Sequence, residues 1–285
     1  MPLTTTFRML ESARKNGYAV AAFNCENMEM IQAIIAAGEE MKAPLILQTT
    51  PSTVRYASAD LFAANAAAAA KNAAIPVALH LDHGNSNELA RDALQAGYTS
   101  IMIDGSALPL EQNIAFTKKT ADLCAEHGIP VEGELGRVGG KEDDTASSGC
   151  GYTDPDEAVR FVKETGISSL AVGVGTAHGI YAVKPVLNPQ LISILRELLP
   201  VPLVLHGASG LEDSVIQDCV SRGISKVNIA TDLRIAYTQA VREYLNGDPN
   251  CIDPKKFGAA AREAVKKVVI ARITVCGCRN RAGEI

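Results

Sequence analysis

The stretch PVALHLDHGNSNELARDALQAGYTSIMID, residues 76–104, contains one complete unit of strand, helix and strand. Its two ends, Pro76–Asp82 and Ser100–Asp104, are short apolar runs. These runs are unbroken rather than alternating, which is typical of strands buried on both faces of a parallel sheet. Gly97 stands between the helical pattern and the second strand, where a left-handed helix cap is expected.

The same pattern recurs along the whole chain. The eight predicted strands are Ala19–Asn24, Pro44–Thr50, Pro76–Asp82, Ser100–Asp104, Pro130–Leu135, Ser169–Val174, Pro202–Leu205 and Lys226–Ala230. Strand, helix, glycine and strand, repeated eight times, predict an α/β fold, the (β/α)8 or TIM barrel. An open, doubly wound sheet is the alternative, but eight units with polar residues spread over many strands favour the closed barrel.

No linker or shift in composition divides the chain, so we expect a single domain over residues 1–285. The segment Pro254–Arg272 predicts an additional C-terminal helix outside the barrel. Two longer connections, Gly139–Thr153 and Gly179–Leu187, follow the fifth and sixth strands. Long loops at the catalytic end of a barrel are candidates for mobile lids.

Composition excludes several classes of function. The chain has 285 residues, a formal net charge of −5 and 47% hydrophobic residues. A mildly acidic protein lacks the basic face that nucleic-acid binding requires. No apolar run is long enough to span a bilayer, and the first residues do not resemble a signal peptide. Seven cysteines without repeated CxxC spacing indicate free thiols in a reducing compartment, so we expect a cytoplasmic protein.

Three of the five histidines share one context, at the carboxyl end of an apolar run with glycine next. They are His83 in HLDHG, His178 in TAHG and His206 in LVLHGASG. Imidazoles at the tips of three parallel strands can converge on one ion. Three neutral nitrogens and an open position describe a catalytic zinc site.

Other polar side chains gather at the same predicted strand ends: Asp82, Asp104, Glu132, Glu134, Thr176, Asn228 and Thr231. One such residue is more often a satisfied hydrogen-bonding group than a ligand, but the whole group is hard to explain in that way. We expect His80 to point away from Asp82, and His127 to lie at a helix end on the opposite face. Both are interpreted as structural.

The loops after strands seven and eight, Gly207–Gly210 and Asn228–Thr231, suit a phosphate group. Barrels commonly bind phosphate there through backbone N–H groups, and small residues allow close approach. A metal beside a phosphate site suggests a Lewis acid acting on a phosphorylated carbonyl compound. That reaction needs a base and an acid. Asp82 can serve one role, and Glu142 or its neighbours Asp143 and Asp144 the other.

A Schiff-base lysine is the usual metal-free route to the same chemistry. The lysines argue against it. Lys226 opens the eighth predicted strand, at the end of the barrel away from the catalytic face, and the sixth strand contains no lysine.

These motifs resemble the class II, zinc-dependent ketose-bisphosphate aldolases from end to end. The motifs that carry the resemblance are HLDHG (80–84), IDGS (103–106), EGELG (132–136), GGKEDD (139–144), GTAHG (175–179), LHGASG (205–210) and KVNIAT (226–231). TTPST (49–53), TAHGIY (176–181) and VCGC (275–278) are most similar to the tagatose-1,6-bisphosphate branch. The resemblance implies reversible cleavage of a ketohexose 1,6-bisphosphate to dihydroxyacetone phosphate and glyceraldehyde 3-phosphate.

The resemblance also implies roles for individual residues. His83, His178 and His206 would bind the catalytic zinc, while Asp104 and Glu134 would line a second metal position. Asp82 would donate a proton to the C4 oxygen, and Glu142 would move the proton at the dihydroxyacetone phosphate carbon. The residues implied to bind substrate are Thr50, Gly179, Gly207, Ala208, Ser209, Asn228, Ile229, Ala230 and Thr231. Family members often bind Na⁺ or K⁺ near the phosphate, and form homodimers or homotetramers.

One position departs from the family pattern. Relatives often carry an arginine that reaches a neighbour's distal phosphate, where DPKKF (253–257) offers Lys255. Lysine keeps the charge but loses the bidentate fork, and Arg279 or Arg281 could compensate. This departure leaves the preferred sugar open, and tagatose bisphosphate is favoured over fructose bisphosphate on the resemblance of the branch alone. A non-catalytic partner subunit of an aldolase, or another barrel metalloenzyme acting on phosphorylated sugars, is the alternative.

Overall fold

The computed structural model describes residues 3–142, 145–147, 151–179 and 185–285, with the backbone alone at 141, 142 and 145–147. The strands are β1 Val20–Asn24, β2 Leu45–Thr49, β3 Val77–Gly84, β4 Ser100–Ile103, β5 Val131–Leu135, β6 Gly139–Glu142, β7 Thr145–Ser147, β8 Ser169–Val172, β9 Ala177–His178, β10 Leu203–Leu205 and β11 Ile224–Ile229. The helices are α1 Thr6–Asn16, α2 Met28–Met41, α3 Pro51–Ala57, α4 Ala59–Ala70, α5 Asn87–Ala96, α6 Leu110–Ala125, α7 Pro155–Thr165, α8 Pro189–Leu198, α9 Asp213–Arg222, α10 Thr231–Gly247 and α11 Pro254–Val275.

Eight parallel strands close into a barrel in the order β1, β11, β10, β8, β5, β4, β3 and β2. Each predicted strand overlaps one of them, so the (β/α)8 fold class is confirmed. Helices separate successive strands of the barrel, and α11 packs against α2 and α10. This last helix confirms the predicted C-terminal segment and extends it to Val275. None of the described helices combines the length and the apolar character that a membrane span requires.

The helix ends follow the sequence signals. The Asp154 side chain accepts hydrogen bonds from the backbone N–H groups of Asp156 and Glu157, and Pro155 is the first residue of α7. Gly166 ends the same helix in the left-handed region, with φ 69°. Such signals fix where each helix begins and ends, and therefore where the next strand enters the barrel.

The interior face of the barrel is unusually polar. Most TIM barrels fill it with branched apolar side chains. Here Met102, Ala171 and Val204 form only a small apolar cluster, separate from the main core. Strand register places Met102 opposite Glu132 and Val204 opposite Lys226, so these charged residues share that face. The main apolar core instead lies between the barrel and its helices.

Two short strands extend the carboxyl end of the barrel. β6 pairs in parallel with β9, with Gly140 opposite His178, and β7 pairs antiparallel with β6. Gly140 has φ 90°, and an added Cβ would lie 2.2 Å from the His178 carbonyl oxygen. Glycine is therefore required for this approach. The pairing of β6 with β9 therefore holds the connection after β5 next to the segment that carries His178.

We predict that Gly84→Ala destabilises the fold. An added Cβ would lie 2.5 Å from the backbone oxygen of Met102, which cannot move without disturbing the pairing of β3 with β4. Overpacking of this kind costs about 1–3 kcal/mol. Urea unfolding followed by circular dichroism measures the loss. Gly247→Ala is the control, because a Cβ there meets nothing within 4 Å, and equal stability of the two variants would contradict the prediction.

Candidate metal and substrate site

The predicted site residues meet at the carboxyl end of the barrel. Asp82 and His83 are on β3, Glu134 is on β5, and His206 directly follows β10. His178 differs from the expectation, because it belongs to the short strand β9 rather than to the tip of a barrel strand. Three rings that are far apart in sequence therefore share one small volume.

A bulge in β3 allows two consecutive residues to face the site. The register between β3 and β4 shifts between Leu81 and Gly84, and His83 has a positive φ of 49°. In a regular strand, neighbouring side chains point to opposite faces. A bulge can re-aim a side chain, and here Asp82 and His83 line the same pocket.

The three imidazoles lie close enough to share an ion. The ring centroid of His83 is 4.6 Å from that of His206 and 5.0 Å from that of His178. One nitrogen from each ring lies within 4.8 Å of the others. Ligands in a tetrahedral zinc site, each about 2.0–2.1 Å from the ion, are roughly 3.3 Å apart. The arrangement fits such an ion.

Carboxylates fix the orientation of two of these rings. Nδ1 of His83 donates to Oδ2 of Asp104 at 2.8 Å, and Nε2 of His206 lies 3.1 Å from Oε1 of Glu132. The remaining nitrogens, Nε2 of His83 and Nδ1 of His206, are 2.9 Å apart. Two lone pairs at that separation require a proton or a cation between them. Histidines that bind a metal are typically oriented by carboxylates in this way.

Burial favours neutral forms of two of the histidines. Desolvation, followed by the neighbouring His83 and His206, lowers the pKa of His178 well below its usual value. Desolvation also lowers the pKa of His206. A neutral imidazole is the form that binds a metal. Burial opposes the charge on His83, but Asp82 and Asp104 outweigh it and raise the pKa of His83 well above 6.5.

Glu134 is the clearest sign that a cation belongs in this site. Its Oε2 atom is buried and has no hydrogen-bond partner among the described residues. The same oxygen is 3.5 Å from Nδ1 of His206 and 4.0 Å from Nδ1 of His83. Burial, followed by the nearby Asp104, raises the pKa of Glu134 well above its usual value. A buried carboxylate oxygen left without a partner is costly, and a metal ion would satisfy it.

Asp82 is held at both oxygens by amides. Nδ2 of Asn24 donates to Oδ2 at 2.9 Å, and Nδ2 of Asn228 donates to Oδ1 at 3.0 Å. Burial alone would raise the pKa of Asp82, but His83, His206 and Lys226 lower it to about 2. The carboxylate is therefore ionised at neutral pH and fixed in direction.

Sequence analysis missed Asn24 and Gln48. Nε2 of Gln48 donates to Oδ1 of Asn24 at 2.8 Å, which orients the amide that holds Asp82. Asn24 is the last residue of β1, and the same strand-end position drew attention to the other polar residues. The strand-end position could therefore have identified Asn24 from the sequence.

The two turns predicted to bind phosphate lie beside these groups. The pocket is lined by Asn24, Asp82, His83, His178, Gly179, Gly207, Ser209, Asn228, Ala230 and Thr231. The Ala230 N–H donates to Oγ of Ser209 at 3.3 Å, which joins the two turns. Helix α10 begins at Thr231, so its N-terminus contributes partial positive charge at this edge.

Comparison with known proteins agrees with this geometry. Residues 4–281 match the family "Fructose-bisphosphate aldolase class-II". The chain belongs to this family. The YdjI aldolase of Escherichia coli K12 is 38% identical over 98% of this chain and 99% of that one, with a TM-score of 0.88.

Two further solved structures are similar. A Coccidioides immitis protein, provisionally assigned as a fructose-1,6-bisphosphate aldolase, is 30% identical over 97% of each chain, with a TM-score of 0.90. The fructose-bisphosphate aldolase of Campylobacter jejuni is 22% identical over 98% of this chain and 97% of that one, with a TM-score of 0.82. That last likeness shows the fold alone. Class II aldolases are lyases, and they are generally zinc-dependent.

Several residues expected to bind substrate do not line the pocket of this aldolase-family chain. The side chains of Ala208 and Ile229 are packed in the apolar core. Thr50 is buried at the end of β2, where its Oγ1 contacts Thr53 at 3.1 Å. Lys255 is exposed and pairs with Asp253 at 2.7 Å, outside the pocket.

Arg281 and the acidic residues Glu142, Asp143 and Asp144 were also predicted to take part in the site. Arg281 stacks over Tyr18, 5.1 Å from the ring centroid, where the chain enters β1. This end of the strand is opposite the pocket. The side chain of Glu142, and all of Asp143 and Asp144, lie outside the described residues.

Two expectations about the barrel interior were wrong. His80 does not point away from Asp82, because residues two apart in a strand share one face. Lys226 does not open the eighth strand, since β11 begins two residues earlier at Ile224. Lys226 is fully buried, and its Nζ lies 2.9 Å from Oε2 of Glu132. His127 is exposed and lies just after the end of α6, at a helix end as expected.

We predict that His206→Ala abolishes stoichiometric zinc binding. The change removes one of three converging nitrogens and leaves Glu132 and Glu134 facing a void. Metal analysis after gel filtration measures zinc per chain. His127→Ala is the matched control and should bind zinc as the unaltered protein does. One zinc per chain in His206→Ala would remove His206 from the ligand set.

Proposed function

We propose that this chain is a zinc-dependent class II aldolase that reversibly cleaves a ketohexose 1,6-bisphosphate to dihydroxyacetone phosphate and glyceraldehyde 3-phosphate. One observation carries the proposal. An ionised carboxylate, Asp82, is fixed beside three converging imidazoles, in the same pocket as two turns suited to phosphate. Membership of the aldolase family supports the same reaction class.

In this proposal His83, His178 and His206 hold the zinc ion, and Asp104 with Glu134 line a second position. The unpartnered Oε2 of Glu134 and the 2.9 Å approach of the His83 and His206 nitrogens support this ligand set. When bound, zinc supplies a Lewis acid that withdraws electrons from the ketone oxygen of the substrate.

Asp82 moves the proton of the C4 hydroxyl. In cleavage, its carboxylate accepts that proton while the C3–C4 bond breaks. The electron pair of that bond stays with the dihydroxyacetone phosphate half, and C4 becomes the aldehyde carbon. In condensation, Asp82 returns the proton to the C4 oxygen. The two amides that hold Asp82 keep its carboxylate pointed at the pocket, and the carboxylate is ionised at neutral pH.

Glu142 is proposed to deliver and remove the proton at the dihydroxyacetone phosphate carbon. Support comes from the backbone, because β6, which ends at Glu142, pairs with the strand that carries His178. The neighbours Asp143 and Asp144 are the alternatives for this role.

The phosphate of the dihydroxyacetone half is proposed to bind the turns Gly207–Ser209 and Asn228–Thr231, together with Gly179. Backbone N–H groups and the N-terminus of α10 would receive it, as at the corresponding place in other barrels. A monovalent cation, Na⁺ or K⁺, is proposed beside this phosphate on the resemblance to the family.

The remaining features of the proposal rest on family resemblance and composition. The chain would act as one domain over residues 1–285, as a homodimer or homotetramer, in the cytoplasm. Thr50 would contact the aldehyde half. Lys255 would reach the distal phosphate of a neighbouring subunit, which its exposure permits.

The purified chain alone tests the function. We predict release of triose phosphate from both tagatose and fructose 1,6-bisphosphate, with a higher kcat/KM for tagatose. A chelator should abolish the activity, and zinc should restore it. A strong preference for fructose would overturn the choice of sugar. A non-catalytic partner subunit would give no activity with either sugar, and zinc binding without triose phosphate would indicate a different metalloenzyme.

We predict that Asp82→Ala keeps zinc but loses cleavage. Loss of general acid–base catalysis typically costs 10²–10⁴-fold in rate. The measurements are kcat for the bisphosphate and zinc content of the same sample. Asp122→Ala, at an exposed ion pair with Lys118, is the control and should keep both. Zinc loss in Asp82→Ala would contradict the assigned role.

A further inference from the structure

A buried ion pair lies inside the barrel, outside the pocket that holds the proposed substrate. Nζ of Lys226 and Oε2 of Glu132 are 2.9 Å apart, and their side chains are 0% and 2% exposed. Burying two charges in this way carries a desolvation penalty of several kcal/mol per ion, and apolar residues often replace such pairs without loss of stability. The pair therefore calls for a role other than stability.

Glu132 connects this pair to His206. While Oε2 accepts from Lys226, the other oxygen, Oε1, lies 3.1 Å from Nε2 of His206. Nδ2 of Asn228 is 3.2 Å from the same ring nitrogen, but it is an N–H donor and already donates to Asp82. Among the described contacts, Glu132 is thus the acceptor available to an Nε2–H group of His206.

Lys226 is held in turn from the far side. Its Nζ lies 3.3 Å from Nε2 of His80, and Nδ1 of His80 is 2.7 Å from Oγ of Ser100. Thr6 at the start of α1 donates to the same oxygen at 2.9 Å. A continuous row of buried polar groups therefore runs from the first residue of β4 to His206. Within it His80 and Glu132 contact the lysine directly, whereas Ser100 contacts only His80 and Thr6.

We propose that Glu132 and Lys226 are positioning residues for His206. Glu132 accepts the Nε2 proton of the imidazole, so that Nδ1 is left to face the metal, and Lys226 holds Glu132 in place. This inference rests on the proposed zinc site. It extends the site into the barrel interior, to two residues that do not touch the substrate.

Zinc affinity without substrate tests the proposal. The variants are Glu132→Gln, Lys226→Met and the double variant, each titrated with zinc against a coloured chelator, with folding followed by circular dichroism. Loss of such an outer partner typically weakens metal binding 10–100-fold. We expect that loss in both single variants. The double variant should be no weaker than Glu132→Gln, because Lys226 acts only through Glu132.

Ser100→Ala separates positioning from stability. The change removes the hydroxyl group that contacts His80 and Thr6, at the end of the row away from His206. It should therefore lower the urea midpoint of the metal-free protein and leave the zinc Kd within twofold. If Glu132→Gln and Lys226→Met behave like Ser100→Ala, the pair is structural and the proposal is overturned. An equal loss of affinity in Ser100→Ala would also overturn it.

The double variant keeps the test decisive if a single variant does not fold, because it leaves no unpaired charge in the barrel. A zinc Kd within twofold of the unaltered chain would then refute the proposal. If the unaltered chain binds no zinc, the proposed function fails as well. If it binds zinc and cleaves the bisphosphate while the variants bind zinc equally well, only this inference fails.

Discussion

The approach of Nε2 of His83 to Nδ1 of His206, at 2.9 Å, is the contact on which the rest of the site depends. The other nitrogen of each ring lies within hydrogen-bond distance of a carboxylate oxygen. When both rings are neutral, the facing nitrogens therefore present two lone pairs to each other. Only a proton or a cation relieves that conflict, and the unpartnered oxygen of Glu134 beside it has the same need. The site is built around a positive charge, which either a proton on His83 or a bound cation would supply.

The barrel accommodates this arrangement by placing polar groups where most barrels are apolar. Asn24 and Asn228 donate hydrogen bonds to Asp82, and Lys226 donates one to Glu132. Most of these residues lie on barrel strands, whose backbone pairing limits their movement. His178 is the exception, since it depends on the pairing of β9 with β6 and thus on the connection that leads to Glu142.

The fold and the three histidines could be predicted from sequence because their signals are local. An unbroken apolar run followed by histidine and glycine can be recognised without knowing its neighbours. The pairing of Lys226 with Glu132 could not, because the two are 94 residues apart and meet only through the closure of the barrel. The error about His80 had another origin, the two-residue period of a strand. The bulge that turns His83 beside Asp82 leaves no clear mark in the sequence.

X-ray absorption at the zinc edge of the purified chain tests the central claim most directly. The account predicts one zinc per chain, surrounded by three imidazole nitrogens at about 2.0–2.1 Å together with oxygen ligands at about 2.0–2.2 Å. Sulfur scatterers at about 2.3 Å, or a spectrum of zinc without imidazole ligands, would contradict it.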